Sequence, residues 1–293
     1  METVRRALDL YGAPVYVRKQ IVHNSHVVRE LEEAGAVFVD AVDDVPEGSP
    51  VVFSAHGVAP AVRDAAEARS LLAIDATCPL VTKVHTQARR YAEQGYRIVL
   101  IGHAGHEEVV GTTGEAPDAI VLVESVEDAE RLELADARIA YITQTTLSVD
   151  ETREIIDVLR RRFPHIEGPE REDICYATSN RQWAVKELVS EVDLLLVVGS
   201  RNSSNSMRLV EVARAAGVDA HLVDDASEID AGWLDGVAVV GVTSGASAPE
   251  RLVEGVCDWF SARGVRDIRE HRASHEDVVF RLPVELRTTR SAA

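Results

Sequence analysis

A chain of 293 residues, 46% of them hydrophobic, is long enough to bury a large core in two or three compact lobes. Its 31 lysines and arginines stand against 49 aspartates and glutamates, a net charge of -18 that argues against nucleic acid as a partner. Any anionic ligand is left to a small enclosed site built from local donors such as His, Ser, Asn and backbone N–H. The start, METVRRALDLYG, has no apolar signal core, and the longest strongly apolar stretch, Leu194 to Val198, is too short to cross a bilayer. With three widely spaced cysteines, Cys78, Cys175 and Cys257, this predicts a cytoplasmic protein without disulfides and without a membrane partner.

In chain order, Val4, Ala7, Leu8 and Tyr11 mark one face of a first helix that ends at Gly12. No strand and no N-cap precede that helix, whereas a lobe of this class usually opens on a strand, so the first lobe is expected to lack its opening strand. Short β-branched runs then alternate with helical windows: VYVRK, AVFVD, PVVFSAHG, AIDATCP, YRIVLIGHAGH, AIVLVES, RIAYITQTT, DLLLVVGS, DAHLVDD and VAVVGVTSG. Between them lie amphipathic stretches such as VTKVHTQARRYAEQG and SVDETREIIDVLRRRF. The rhythm predicts an α/β fold of three similar lobes with parallel-rich sheets. Boundaries are expected at 1–78, 79–175 and 176–262, with 263–293 as a tail laid over the body.

Ligands of open α/β sheets bind beyond the carboxyl ends of the strands, so the residues after each apolar run are the ones to inspect. They are rich in polar side chains. After VVFS comes Ala55-His56-Gly57; after RIVLI come Gly102 to Glu108; after RIAYI come Thr143 to Thr146. Gly199 to Ser206 and Thr243 to Pro249 form two serine-rich turns. Each opens onto an expected helix, an arrangement suited to an anion, phosphate above all. Ser and Asn in a single such turn serve equally well as N-caps and turn formers.

Among the histidines, His103, His165, His221, His271 and His275 read best as structural. His23, His56 and His106 follow apolar runs and sit beside Asn, Gly or Glu, where an imidazole can donate to phosphate. Glu108 stands two residues from His106, close enough for a proton relay, while Glu107 is expected to face solvent. Cys78 and Cys175 occupy turns at the same sheet edge and are candidates for iron-sulfur ligands, a catalytic pair or bystanders. Cys257 lies on an apolar helical face and is expected to be buried and inert.

The segments YGAPVYVRKQIVHN, FSAHGV, DATCPLVTKVH, IGHAGHEEV, TQTTLSVDET, EDICYATSNRQ, VVGSRNSSNS and GASAPE resemble, in order and over Tyr11 to Glu250, those of the 4-hydroxy-3-methylbut-2-enyl diphosphate reductases, the LytB or IspH family. The resemblance implies three α/β lobes around a central [4Fe-4S] cluster, with electrons from a ferredoxin- or flavodoxin-type donor. It also implies reduction of an allylic alcohol diphosphate to isopentenyl and dimethylallyl diphosphate. Position by position, Cys78 and Cys175 would bind iron. His23, His56, His106, Ser203, Ser204, Asn205 and Ser247 would line the diphosphate pocket. Thr145 would sit near the substrate hydroxyl, and Glu108 would be the proton source.

Two departures stand out. Where the family commonly has Pro between the second His and the Glu of the GHAGH segment, this chain has Glu107. The family's first cluster cysteine, carried upstream of the YGAP helix, has no counterpart, and the expectation is a truncated chain with little activity. A cluster-free protein that binds prenyl diphosphates without catalysis is the alternative, and a metal-dependent phosphohydrolase is a third reading of the His-Glu cluster.

Overall fold

The computed structural model describes residues 1–134, 138–273 and 278–287. His275 lies outside the described residues. Among these residues ten strands form three sheets in which every pairing is parallel. All ten apolar runs singled out in the sequence form strands.

The first sheet contains β1 (Val15–Arg18), β2 (Ala36–Val39), β3 (Pro50–Phe53) and β4 (Leu72–Asp75) in the order β2-β1-β3-β4. The second contains β5 (Arg97–Ile101), β6 (Ile120–Val123) and β7 (Ile139–Thr143) in the order β6-β5-β7. The third contains β8 (Leu194–Val198), β9 (Asp219–Val223) and β10 (Val240–Ser244) in the order β10-β8-β9.

Helices cover both faces of each sheet, as parallel strands without a solvated face require. The first lobe has α1 (Glu2–Tyr11), α2 (Ser25–Glu33) and α3 (Pro60–Ala68). The second has α4 (Pro79–Glu93), α5 (Glu107–Glu115), α6 (Val126–Arg131) and α7 (Val149–Arg162). The third has α8 (Tyr176–Leu188), α9 (Ser204–Ala215) and α10 (Glu250–Ser261).

Successive side chains of a strand point to opposite faces, so each central strand feeds two cores. Ile98 and Leu100 of β5 pack into one apolar cluster, Val99 and Ile101 into another. Leu195 and Val197 of β8 do the same on one side, Leu194, Leu196 and Val198 on the other. Fully burying such a side chain stabilises the fold by about 1.5–3 kcal/mol.

Val4 and Ala7 of α1 are buried as expected, but Tyr11, expected on the same face, is exposed where the helix runs out. Cys257 also differs from expectation: Val256 is the fully buried residue of that turn of α10, and Cys257 is only half-buried. After α10 a single 3-10 turn, Val284–Leu286, inserts Leu286 into the core of the first lobe beside α1.

Candidate functional site

In each sheet the strand order reverses once. A crevice opens where the chain leaves two neighbouring strands in opposite directions, and that is where α/β sheets bind ligands. The reversals fall between β1 and β3, between β5 and β7, and between β8 and β10. The six turns leaving these strands carry His23, His56, the His106-Glu107-Glu108 run, Thr145, the Ser203-Ser204-Asn205 run and Ser247.

Cross-connections join the turns into one ring. Ser247 Oγ donates to the His23 carbonyl (3.0 Å), and Ser25 N–H, beside the β1 turn, donates to Ser200 Oγ (3.1 Å). Ser204 Oγ donates to the Thr146 carbonyl (3.0 Å). The first and second lobes meet at Gly57, whose φ of +80° favours glycine and where a Cβ would lie 2.8 Å from the His85 ring.

The structure brings His23, His56 and His106 together. The rings of His23 and His56 stack with centroids 4.2 Å apart, and His106 meets both edge-on at 5.7 and 5.8 Å. His106 caps α5, its Nδ1 accepting the Glu108 backbone N–H (3.2 Å), which puts the ring proton of the neutral form on Nε2. His23 Nε2, His56 Nδ1 and His106 Nε2 are buried with no hydrogen-bond partner among the described residues. Burial, then the neighbouring imidazoles, lower both His23 and His106 to about 4.

Glu107 corrects an expectation. Instead of facing solvent it turns inward, Oε2 lying 3.6 Å from His56 Nδ1, buried and without a hydrogen-bond partner among the described residues. As the first residue after the His106 cap it begins α5 on the side of the imidazoles. Burial pushes its carboxyl upward, but His56, His23 and Arg18 outweigh that and hold it below the ordinary value.

Glu108 is 1% exposed. Its Oε1 accepts the Thr145 backbone N–H (2.6 Å) and its Oε2 the Thr145 hydroxyl (3.0 Å). Burial dominates these two bonds and pushes the carboxyl up to about 7. An acid held near neutrality beside a hydroxyl has the pKa that general-acid chemistry calls for.

In the third lobe Ser203 is the N-cap of α9, accepting from Ser206 N–H, so the capping role weighed for it from sequence is present. Ser204 and Ser247 spend their hydroxyl protons on the backbone carbonyls named above. Asn205 is buried, and both of its amide atoms lack a partner among the described residues.

Cys78 and Cys175 are the N-cap residues of α4 and α8, and each lies within electrostatic reach of Glu108, Cys78 also of Cys175. Burial raises both thiols, with backbone N–H groups of the following turn and, for Cys175, the Thr178 hydroxyl pulling the other way. Helix N-termini suit thiolate ligands. An iron-sulfur cubane, however, takes three or four such donors. Among the described residues no group of three or more His, Cys, Asp and Glu is arranged to hold a metal, and Cys257 lies away on α10. The donors present therefore match part of a cluster site, not a full set.

Three comparisons bear on this geometry. The profile of the LytB protein family matches residues 1–261. The chain belongs to the LytB family. A 4-hydroxy-3-methylbut-2-enyl diphosphate reductase of Acidothermus cellulolyticus is 63% identical over 289 residues, 98% of this chain and 85% of the relative. One of Nocardia farcinica is 58% identical over 292 residues, 99% of this chain and 87% of the relative. The solved E-1-hydroxy-2-methyl-but-2-enyl-4-diphosphate reductase of Plasmodium falciparum superposes with a TM-score of 0.93 at 38% identity, covering 97% of this chain and 91% of that one. A solved (E)-4-hydroxy-3-methyl-but-2-enyl diphosphate reductase, described as the terminal enzyme of the non-mevalonate pathway, superposes at 0.63 with 30% identity over 89% of this chain and 92% of that one.

Several residues that shape this LytB-family site escaped the sequence reading. His85 and Glu115 form a buried pair (2.7 Å), reinforced by Arg89, directly beneath the His56-Gly57 turn. Asp173, its side chain wholly buried, accepts from Lys83 Nζ (2.9 Å) and from the Thr143 backbone (3.0 Å). Gln144, inside the Thr143-to-Thr146 turn singled out in the sequence but given no role there, accepts from His103 N–H and donates to Thr146, which fixes the β5 and β7 turns against each other. No spacing signal marks these residues, because the partners that tie them to other elements lie 26 to 90 positions away. Of the histidines read as structural, His221 stacks on Trp233, His271 pairs with Glu187, His165 is exposed and His103 adjoins Arg208. Among the described residues no helix is long and apolar enough to cross a membrane.

Proposed function

We propose that this chain reduces 4-hydroxy-3-methylbut-2-enyl diphosphate to isopentenyl and dimethylallyl diphosphate, the last step of the methylerythritol phosphate route. The reductase names of its relatives supply the substrate. The observation that carries the reading is three converging imidazoles, with His23 Nε2 and His106 Nε2 buried and lacking a partner among the described residues, beside a buried carboxyl pushed up to about 7.

The diphosphate lies against His23, His56 and His106, with Asn205 and the hydroxyls of Ser203, Ser204 and Ser247 turning from their present partners to phosphate oxygens. Binding energy gathered there holds the allylic hydroxyl at a distance from the charge, near Thr145. Thr145 Oγ1, already bonded to Glu108, links that hydroxyl to the acid, so the departing oxygen is protonated and leaves as water, and a second proton, taken up from solvent, completes the new C–H bond of the reduced allyl group. Cys78 and Cys175 would be two of the ligands of an iron-sulfur cluster, which would supply the two electrons, drawn from a ferredoxin- or flavodoxin-type donor.

Glu108→Gln keeps the hydrogen-bond geometry with Thr145 but removes the acid. Reduction is expected to fall by about 10²–10⁴-fold while substrate affinity changes only a few-fold. In the parent protein the rate falls as pH rises through about 7, because the acid is then deprotonated. A Gln variant that reduces substrate at the parent rate would remove Glu108 from the mechanism. The two-thiol donor set favours one rival, a binder without turnover, and iron and sulfide analysis of anaerobically purified protein separates the two.

A further inference from the structure

Glu107 has no part in the scheme above, yet one of its carboxylate oxygens is turned inward onto the histidine cluster. Its Oε2 is buried, 3.6 Å from His56 Nδ1, and both atoms lack a hydrogen-bond partner among the described residues. Since Nδ1 is turned to Glu107, Nε2 is the His56 nitrogen left to meet a ligand. We propose that Glu107 is a positioning residue that accepts the His56 Nδ1 proton when an anion binds at Nε2, so that His56 bridges carboxylate and anion as a doubly protonated ring. This rests on the reading of the histidine cluster as a diphosphate site.

A carboxylate beside an anion site would ordinarily repel the ligand. Here the two effects act over different distances. The attraction between Glu107 and the imidazolium acts across 3.6 Å, whereas the repulsion between Glu107 and the anion acts across the full width of the ring and a further hydrogen bond on each side. Coulomb energy falls with separation, so the attraction wins. The arrangement is the one by which carboxylates orient histidines that hold a ligand through the other nitrogen.

The groups that face the pair from the surrounding elements are His23 and Arg18 from β1 and its turn, and His106 at the head of α5. Across an adjoining cavity of about 340 Å³, lined by Gln20, His23, Glu107 and Asn202 among others, Lys19 is paired with Asp40. Arg18 helps to keep Glu107 ionised, and Asp40 already occupies the nearby ammonium. His56 is therefore the group that Glu107 is placed to serve.

The test is calorimetric titration of inorganic pyrophosphate into the full chain and its Glu107→Gln variant at pH 6 and pH 8, each in two buffers of different ionisation enthalpy. The variant is expected to bind about tenfold more weakly at pH 8 and within twofold of the parent at pH 6. In a His56→Gln background the Glu107 substitution should lose this pH-dependent effect. Equal or tighter binding by Glu107→Gln at pH 8, or an equal deficit at both pH values, overturns the proposal; the latter is what a merely structural role would give. Absence of pyrophosphate binding by the parent at either pH overturns the diphosphate reading itself, and the proposal with it.

Discussion

His23 and His106, both lowered to about 4 in the ligand-free fold, are neutral at neutral pH although the proposed function asks them to hold an anion. The unfolded chain takes up these protons near the ordinary value of 6.5, the folded chain only near 4. Their contribution to stability is thus complete above about 6.5 and is lost as pH falls toward 4. A bound diphosphate reverses the imbalance by favouring the charged rings. Binding at pH 7 is therefore expected to take up protons, read as a buffer-dependent heat; a heat independent of buffer would mean that the imidazoles do not charge. The three histidines, Glu108 and Thr145 could be picked out in the sequence because each follows an apolar run that becomes a strand. Glu107 could not: two consecutive carboxylates open α5, and only the angle at which the His106 cap launches the helix turns both inward.

At the scale of elements, one side chain of α4, the helix that Cys78 caps, ties down the segment leading into α8, the helix that Cys175 caps. Lys83, on the second turn of α4, donates to the Arg171 and Glu172 carbonyls and to Asp173, two residues before Cys175. Burial raises the Asp173 carboxyl, with Lys83 and the Thr143 N–H opposing the rise. Lys83→Met removes the ammonium but keeps much of the stem, leaving a buried carboxylate with one backbone donor. A loss of about 1–3 kcal/mol is expected from such an orphaned group. The loss should be larger at pH 7 than at pH 5, because protonation relieves the unpaired charge as pH falls. Thermal unfolding at the two pH values reads this directly, and an equal loss at both would assign the effect to packing. The strands and helices themselves were legible from apolar periodicity and capping residues, but a clamp spanning 90 positions has no local signature.

At the scale of the whole molecule, three parallel sheets turn their switch points toward one another, and every residue expected in the diphosphate pocket leaves a strand beside such a point. Polar links made by Ser25, Ser200, Ser204, Ser247 and Arg208 cross the seams between lobes, which places donors from all three lobes around the proposed ligand site. The α/β class and the polar strand ends were readable because they obey local rules. The mutual placement of the lobes was not, since it depends on close approaches such as Gly57 on His85 and Gly245 against the Ser206 side chain. The most direct test is an anaerobic assay of the iron- and sulfide-reconstituted chain with 4-hydroxy-3-methylbut-2-enyl diphosphate and a reduced one-electron donor. The account predicts isopentenyl and dimethylallyl diphosphate, formed only with the reductant and lost in Glu108→Gln. Substrate binding without either product, or phosphate release without a reductant, would contradict it.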